Sequence, residues 1–312
     1  MNFFKNISDV LRSLGCCDAE SFTCNAPLER LCTMRVGGLA ACVAAPPDSY
    51  ALCTLLHALK QMEVPYLLLG AGSNVVLGDG YFNGVVVLTR RLQKIDIIGK
   101  KIKAECGVAL NRLILTAAKK NLCCMERLYG IPGTVGGALR MNAGAHGTSV
   151  SQWLISATLF SPSIGVKRVF TNDELAFSYR ESFLQHHEEW VVLDATFQVL
   201  PMLHDQVKAS VAAVVKERLR TQPIGLPSAG SAFRRPAVGE AWRLIDQCGL
   251  RGYRIGGAQV SPKHAGFIVN TGKACANDVF RLVRNVQTRV EEACSVRLVP
   301  EIEFFHMSEE RK

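Results

Sequence analysis

The sequence lacks any long apolar run. Hydrophobic residues make up 48% of its 312 positions and charged residues 20%, as in ordinary globular proteins. No stretch approaches the roughly 18 apolar residues that a membrane-spanning helix needs. The first residues also lack the cationic region and continuous apolar segment of a secretory signal peptide. We therefore expect a cytoplasmic protein with no membrane partner.

The sequence has no Cys-x-x-Cys motif, although it contains 12 cysteines. The adjacent pairs Cys16-Cys17 and Cys123-Cys124 are poorly spaced for zinc. Reduced, mostly buried cysteines that act as small hydrophobic side chains are the favoured interpretation. We expect no bound metal.

Runs of basic residues are also missing. The formal net charge is +9, but lysine and arginine are scattered, and no basic patch interleaved with aromatic residues occurs. We therefore expect no nucleic-acid partner. A basic protein also suits an enzyme with phosphate-bearing ligands, because a positive field concentrates anions.

Neither standard nucleotide-binding motif is present. The short apolar run Tyr66–Leu69 predicts a buried strand, and Gly70-Ala71-Gly72-Ser73-Asn74 follows it. Val75 occupies the position of the third glycine of a dinucleotide fingerprint, and no Gly-Lys-Ser/Thr of a Walker loop follows. A strand that ends in this glycine loop still resembles a phosphate-binding turn.

A second glycine-rich stretch contains six glycines within residues 130–147. Glycine reaches positive φ without strain and lets a ligand approach the backbone, so such a run can direct N–H groups at an anion. A short helix from Gly133 onward would add the N–H groups of its first turn. A tight surface turn is the alternative. Two such loops suggest a long, diphosphate-bearing ligand held by backbone from two sides.

Five spaced motifs carry a resemblance to a known family. The motifs are Gly70 to Asn74, Gly130 to Ala138, Tyr179-Arg180-Glu181-Ser182, Gly230-Ser231-Ala232-Phe233 and Pro300-Glu301-Ile302. They occur in the order found in UDP-N-acetylenolpyruvoylglucosamine reductases, and the resemblance extends from about Thr33 to Glu303.

The resemblance implies an α+β fold and a flavoenzyme. The expected architecture is a two-subdomain FAD-binding fold of the vanillyl-alcohol oxidase/PCMH type, followed by a C-terminal α+β substrate domain. The implied reaction uses FAD and NADPH to reduce the enolpyruvyl ether of a UDP-sugar substrate in peptidoglycan precursor synthesis. We expect a monomer. The predicted boundaries are 1–30 for an N-terminal helical segment, 31–95 and 96–204 for the FAD-binding subdomains, and 205–312 for the substrate domain.

By the same resemblance, Arg180, Ser231 and Glu301 are the catalytic residues, with Ser231 as proton donor. From the residues alone, Arg180 also suits a surface salt bridge, Ser231 an anion-binding turn and Glu301 a solvent-facing acid. The implied cofactor-binding residues are Gly70, Ala71, Gly72, Ser73, Asn74, Val75, Gly130, Ile131, Pro132, Gly133, Thr134, Gly136, Gly137, Ala138 and Asn142.

The expected substrate-binding residues are Arg234, Arg235, Lys263 and His264. His264 is equally suited to a structural, hydrogen-bonded role. The sequence departs from the family pattern at Arg235, which replaces an asparagine that would contact substrate, at His146, where the family has tyrosine, and at Gly266, where asparagine is common.

Local patterns predict helices over residues 47–62, 109–120, 205–221, 240–248 and 277–293, and a strand over Val296–Val299. Three other functions remain open from the sequence. They are a different flavin-dependent oxidase or dehydrogenase on the same fold, a non-catalytic nucleotide-binding module and a basic RNA-binding protein.

Overall fold

The computed structural model describes residues 22–307, so most of the predicted N-terminal segment 1–30 lies outside the described residues. The described chain divides into two compact units. The first contains residues 22–25, 41–71 and 83–215, and the second contains residues 26–40, 72–82 and 216–307. The subdomain boundary near residue 95 stays a prediction.

A four-stranded sheet lies mostly in the first unit, in the order β1-β2-β5-β3. Strand β3 pairs in parallel with β5, and helix α1 precedes β3. The Asp48 side chain starts α1 by accepting a hydrogen bond from the Ala51 N–H at 2.9 Å. The elements are β1 (Phe22–Pro27), β2 (Leu39–Ala44), α1 (Ser49–Gln61), β3 (Tyr66–Leu69) and β5 (Tyr81–Leu88).

The first unit also contains a five-stranded antiparallel sheet, in the order β12-β11-β13-β7-β6. Its strands are β6 (Ile95–Ile98), β7 (Lys101–Glu105), β11 (Leu154–Ser161), β12 (Val166–Thr171) and β13 (Val191–Gln198). Helices α2 (Leu110–Ala118), α3 (Val135–Arg140) and α4 (Phe183–His186) belong to the same unit. Two short pairs complete it: β8 (Leu122–Cys123) with β14 (Leu200–Pro201), and β9 (Gly144–Ala145) with β10 (Thr148–Ser149).

The second unit is built around the antiparallel sheet β15-β18-β17-β16 and a parallel pair, β4 and β19. Helix α5 leads into it, and α6 and α7 belong to it. The elements are β4 (Val75–Leu77), α5 (His204–Thr221), β15 (Ser228–Ser231), α6 (Ala241–Gln247), β16 (Arg254–Ile255), β17 (Ala258–Val260), β18 (Phe267–Asn270), α7 (Ala276–Cys294) and β19 (Glu303–Phe305).

The predicted strand at Val296–Val299 is wrong. The segment has no regular strand, Pro300 forms an isolated bridge with Phe233, and the strand begins only at Glu303. Pro300 has no N–H to extend a ladder. The Leu298 carbonyl accepts from the Gln287 side chain at 2.8 Å instead of from a strand. The five predicted helices are present, with ends that differ by at most two residues.

The prediction of reduced, mostly buried cysteines is confirmed for the ten cysteines that the structure describes. All ten are free thiols and six are buried. Burial raises the pKa of the Cys106 and Cys124 thiols well above the ordinary range. These side chains are therefore small core residues. Within residues 22–307, no helix combines the length and apolar character required to cross a bilayer.

The carboxylate of Asp79 caps α7 from a distant part of the sequence. It accepts hydrogen bonds from the Ala276 N–H at 2.8 Å and the Asn277 N–H at 3.0 Å. A negative charge at this end also suits the helix dipole. We expect Asp79→Ala to lower the free energy of unfolding by about 1–2 kcal/mol, measured by urea denaturation. Asp96→Ala, at an exposed aspartate of β6, is the control, and equal midpoints for both variants would contradict this role.

Candidate functional site

The two predicted glycine loops meet in the first unit. Gly70 directly follows β3, and a methyl group added there would overlap the Oγ1 atom of Thr134. Thr134 is the N-cap of α3, and its Oγ1 accepts a hydrogen bond from the Gly137 N–H at 3.4 Å. Glycine at position 70 is therefore needed for the close approach of the two loops.

Most N–H groups at the start of α3 already form hydrogen bonds within the protein. The Val135 N–H donates to the Val108 carbonyl at 2.8 Å, and the Gly136 N–H to the Cys106 carbonyl at 2.9 Å. Within residues 22–307, the adjacent N–H groups of Gly133 and Thr134 have no such acceptor. Gly133 has φ +147°, a conformation that favours glycine. These two donors, rather than the first turn of the helix, suit an anionic ligand.

The second half of the first glycine loop belongs to the second unit. Gly72 has φ +61°, and its carbonyl accepts from the Thr33 N–H at 2.9 Å. The Thr33 hydroxyl donates to the Ser228 carbonyl at 2.6 Å. Thr33, which lies at the start of the family resemblance, therefore connects this loop to β15. Its main partner lies 195 residues away, so no local pattern reveals the contact.

Asn74 positions the segment that carries Glu301. Its side-chain amide donates to the Glu301 carbonyl at 3.0 Å. Its own carbonyl accepts from the Glu303 N–H at 2.9 Å. Contact between Asn74 and the cofactor stays a prediction. The structure adds a positioning role for this residue, through contacts that span more than two hundred positions.

Ser231 and Glu301 lie on neighbouring, hydrogen-bonded segments. The Glu301 N–H donates to the Ala232 carbonyl at 2.9 Å, and the Ala232 N–H donates to the Gly266 carbonyl at 2.8 Å. Ser231 is exposed at the end of β15, whereas Glu301 is half-buried. Backbone hydrogen bonds therefore fix three separate segments around one proposed proton donor.

His264 is held as a neutral hydrogen-bond acceptor. Its Nδ1 accepts from the Gly266 N–H at 3.1 Å, which places the proton of the neutral ring on Nε2. Its ring lies 5.8 Å from that of Trp242 and 5.1 Å from that of Phe267. Burial lowers the pKa of His264 below its ordinary value of 6.5, and the charge of Arg251 contributes in the same direction.

Crowding around His264 accounts for the glycine at position 266. A methyl group there would lie 3.1 Å from His264 Cε1 and 3.2 Å from the Cβ atom of Trp242. An asparagine would require both neighbours to move. The departure from the family pattern is therefore matched to the position of Trp242.

Arg180 adopts a left-handed conformation, with φ +58°. Its Nη2 donates to the Gly144 carbonyl at 2.8 Å, and its guanidinium lies 5.3 Å from the centre of the Tyr179 ring. The Gln185 side chain donates to the Arg180 carbonyl at 2.9 Å. A non-glycine residue at positive φ is uncommon and requires such support. The guanidinium is therefore pre-oriented by Gly144 of the second glycine-rich stretch and by Tyr179 of its own loop.

Asn142 connects that loop to the second glycine-rich stretch. It is buried, has φ +40°, and donates from its side chain to the Ser178 carbonyl at 2.6 Å. The Ser182 hydroxyl donates to the Arg140 carbonyl at 2.7 Å at the end of α3. The glycine stretch therefore determines the position of residues 178–182. Cofactor contact by Asn142 stays a prediction.

The predicted substrate-binding cations have partners within the protein. Arg235 is exposed and forms an ion pair with Glu240, with Nε 3.1 Å from Oε1. Lys263 donates from Nζ to the Leu219 carbonyl at 2.6 Å, near the end of α5. The main-chain N–H of Arg234 donates to the Val299 carbonyl at 2.9 Å, which positions this residue through its backbone. Their contacts with substrate stay predictions.

Comparison with known proteins determines the family. A reductase from a Synechococcus strain, RCC307, is 43% identical over 89% of this chain and 92% of its own length. One from Caldanaerobacter subterraneus is 38% identical over 89% of this chain and 91% of its own. Both carry the name UDP-N-acetylenolpyruvoylglucosamine reductase. The chain belongs to the UDP-N-acetylenolpyruvoylglucosamine reductase family.

Domain models and a solved structure agree with this assignment. An FAD-binding domain model matches residues 40–163, and the model of the C-terminal domain of these reductases matches residues 222–305. The crystal structure of the reductase from Thermus caldophilus has a TM-score of 0.76 and 33% identity. It covers 90% of this chain and 97% of that one. The prediction of a two-subdomain α+β FAD-binding fold with a C-terminal domain is confirmed.

We predict that Gly70→Ala impairs FAD binding, because the new methyl group would push the end of β3 away from Thr134. Apoprotein prepared in parallel from the variant and the wild type is titrated with FAD, and retained flavin is measured by absorbance. Gly80→Ala, where an added methyl would find only His306 Nε2 at 3.9 Å, is the control. Normal FAD affinity in Gly70→Ala would show that FAD binding does not require the close approach of the loop after β3 to Thr134.

The lowered pKa of His264 predicts a pH dependence of stability. Since the folded protein disfavours the charged ring, the native state gains stability above the unfolded pKa of about 6.5 and loses it as the pH falls through the lower folded pKa. His264→Gln removes the titrating group, so its free energy of unfolding is expected to change less than that of the wild type between about pH 7.5 and 5. Urea denaturation at several pH values measures the free energy of unfolding of both proteins. An equal change with pH in the wild type and in His264→Gln would disprove this contribution.

Proposed function

We propose that the chain reduces the enolpyruvyl ether of UDP-N-acetylglucosamine to the lactyl ether, giving UDP-N-acetylmuramate for peptidoglycan precursor synthesis. The reaction uses NADPH and FAD. The observation that best supports the proposal is the hydrogen bond from the Glu301 N–H to the Ala232 carbonyl at 2.9 Å. It places Ser231 and Glu301 on neighbouring segments, as a shared role in one reaction requires.

The first unit offers donors that suit FAD. Gly133 and Thr134 present two adjacent N–H groups, and Gly70 allows the other loop to approach them. Backbone N–H groups hold diphosphate oxygens without the entropic cost of ordering long side chains. When bound, FAD would accept hydride from NADPH and supply it to the substrate. The protein's own residues would bind, orient and protonate.

Arg180 would bind the carboxylate of the enolpyruvyl group. An isolated carbon–carbon double bond resists hydride, so its terminal carbon must be made electrophilic. A guanidinium stays charged and offers a rigid fork of donors to a carboxylate that gains negative charge during reaction. The hydrogen bond from the guanidinium to the Gly144 carbonyl, and that from the Gln185 side chain to the Arg180 carbonyl, hold Arg180 in place before substrate binds. Such preorganised donors commonly contribute about 3 kcal/mol each to catalysis.

Ser231 would donate a proton to the carbon next to the carboxylate after hydride arrives. Its exposed position at the end of β15 leaves the hydroxyl accessible to a ligand. Serine is a weak acid, but a carbanion is basic enough to take its proton. Arg234, three residues further on, would help to stabilise the resulting alkoxide. Glu301 would share in stabilising the enolate-like state.

We also propose a cytoplasmic monomer that binds no nucleic acid. NADPH and UDP-sugars are cytoplasmic metabolites, and the scattered cations suit phosphate-bearing small ligands. Sedimentation at several protein concentrations tests whether the protein is a monomer. Salt-sensitive retention of nucleic acid during purification would contradict the proposal that it binds no nucleic acid.

The test is the visible absorption spectrum during sequential addition of anaerobic NADPH and UDP-N-acetylglucosamine enolpyruvate. Flavin bands that bleach with NADPH and return with the sugar nucleotide would demonstrate both half-reactions. Bands that bleach but do not return would favour a different flavin-dependent enzyme. A protein that cannot be reconstituted with FAD would overturn the proposal.

Ser231→Ala is expected to separate the two half-reactions. Flavin reduction by NADPH should keep its rate, while reoxidation by the sugar nucleotide falls by roughly 10²–10⁴-fold, as expected for loss of a general acid. Stopped-flow absorbance measures both rates. Ser228→Ala, in the same strand, is the matched control, and an equal loss of both half-reactions in Ser231→Ala would rule out its role as proton donor.

A further inference from the structure

Cys248 and Cys294 form a pair of neighbouring thiols in the second unit. Cys248 directly follows α6 as its C-terminal cap, and Cys294 is the last residue of α7. Their Sγ atoms lie 3.8 Å apart, although 46 positions separate the two residues in the sequence. Packing of the two helices therefore brings together two nucleophilic groups whose spacing along the chain does not indicate a site.

Partial exposure distinguishes this pair from the cysteines of the core. Both residues are half-buried, whereas six of the ten described cysteines are buried. The Sγ atoms of Cys24 and Cys42 also lie 3.8 Å apart, but Cys42 has no exposed surface. Its burial, together with the neighbouring Cys24, raises the pKa of Cys42 to about 12. Of these two pairs, only Cys248 and Cys294 offer both residues to a small reagent.

The contacts of the Cys248 sulfur are weak. It donates to the Arg289 carbonyl at 3.9 Å and lies beside the Cys294 sulfur at 3.8 Å. Thiols are poor hydrogen-bond donors, so these contacts leave both side chains able to rotate. Two sulfurs this close to van der Waals contact can reach bonding distance by side-chain rotation.

We infer that Cys248 and Cys294 are an oxidation site that forms an intramolecular disulfide on reaction with a small-molecule disulfide. One thiolate of the pair attacks a sulfur of the reagent, which gives a mixed disulfide and releases one small thiol. The other thiolate attacks the protein sulfur of that mixed disulfide and releases the second small thiol. Two protein thiols are thereby oxidised, and the reagent takes up their two electrons and two protons as two thiols.

The new bond would close a loop that contains much of the second unit. Strands β16, β17 and β18 and almost all of α7 lie between the two cysteines. A link across 46 positions restricts the conformations of the unfolded chain and so stabilises the folded one. Oxidation would therefore stabilise the second unit, and a reducing compartment would restore the two thiols.

The experiment treats the purified full-length wild type, Cys248→Ser, Cys294→Ser and Cys275→Ser with glutathione disulfide. Mildly alkaline solution is used, because burial and the neighbouring Cys294 raise the pKa of the Cys248 thiol. Remaining thiols are then alkylated, and proteolytic peptides are identified by mass spectrometry. Thermal unfolding is measured before oxidation, after it, and after addition of dithiothreitol. Cys275 is the matched control, since it is an exposed thiol at the opposite end of α7.

In the wild type and in Cys275→Ser, we expect peptides linked through Cys248 and Cys294. The unfolding temperature should rise by roughly 5 °C or more, and dithiothreitol should reverse the rise. In Cys248→Ser, Cys294 should keep a glutathione adduct, because no second thiol is present to displace it, and the rise should be absent. Cys294→Ser should keep the corresponding adduct on Cys248.

Stable glutathione adducts on both Cys248 and Cys294 of the wild type would overturn the inference. So would two thiols that stay open to alkylation while Cys275 reacts, since the pair would then be a packing contact only. A linked pair that unfolds at the same temperature as oxidised Cys248→Ser would contradict the stabilising role. These outcomes need neither NADPH nor the UDP-sugar, so the inference and the proposed function are tested separately.

Discussion

The second unit depends on the hydrogen bonds that hold residues 299–303. The Glu301 N–H donates to Ala232, the Glu301 carbonyl accepts from the Asn74 side chain, and the Glu303 N–H donates to the Asn74 carbonyl. Pro300 interrupts any strand at this point, so the segment cannot be held by a regular ladder. Individual hydrogen bonds to two distant parts of the sequence hold it instead. The proposed catalytic carboxylate is therefore positioned by residues outside its own motif.

The first unit positions Arg180 by a comparable arrangement. Short glycine-rich turns can approach other backbone closely, and Gly70 does so against Thr134. Helix α3 follows and ends where Asn142 and Ser182 hold the Arg180 loop. The second glycine-rich stretch and the loop that carries Arg180 are consequently parts of one hydrogen-bonded structure. Small residues leave the backbone of this stretch accessible, so it can both contact a ligand and support the Arg180 loop.

Local structure was largely predictable from local pattern. The apolar spacing of α1, the cap at Asp48 and the hairpin of β6 and β7 all reflect interactions between residues close in sequence. The strand at Val296–Val299 was mispredicted because apolar residues suggest a strand whether or not a partner strand is available. The positioning role of Asn74 was missed for a related reason. Its partners lie more than two hundred residues away, and composition does not record such contacts.

The sequence by itself determined the family, since five motifs in a fixed order are far more specific than any single one. It also determined the regular elements, because helix and strand periodicity is a property of a few neighbouring residues. Only the tertiary structure decided which N–H groups remain available at the second glycine loop and why position 266 lacks a side chain. These properties depend on burial and on hydrogen-bond partners supplied by distant segments, which exist only once the chain has folded.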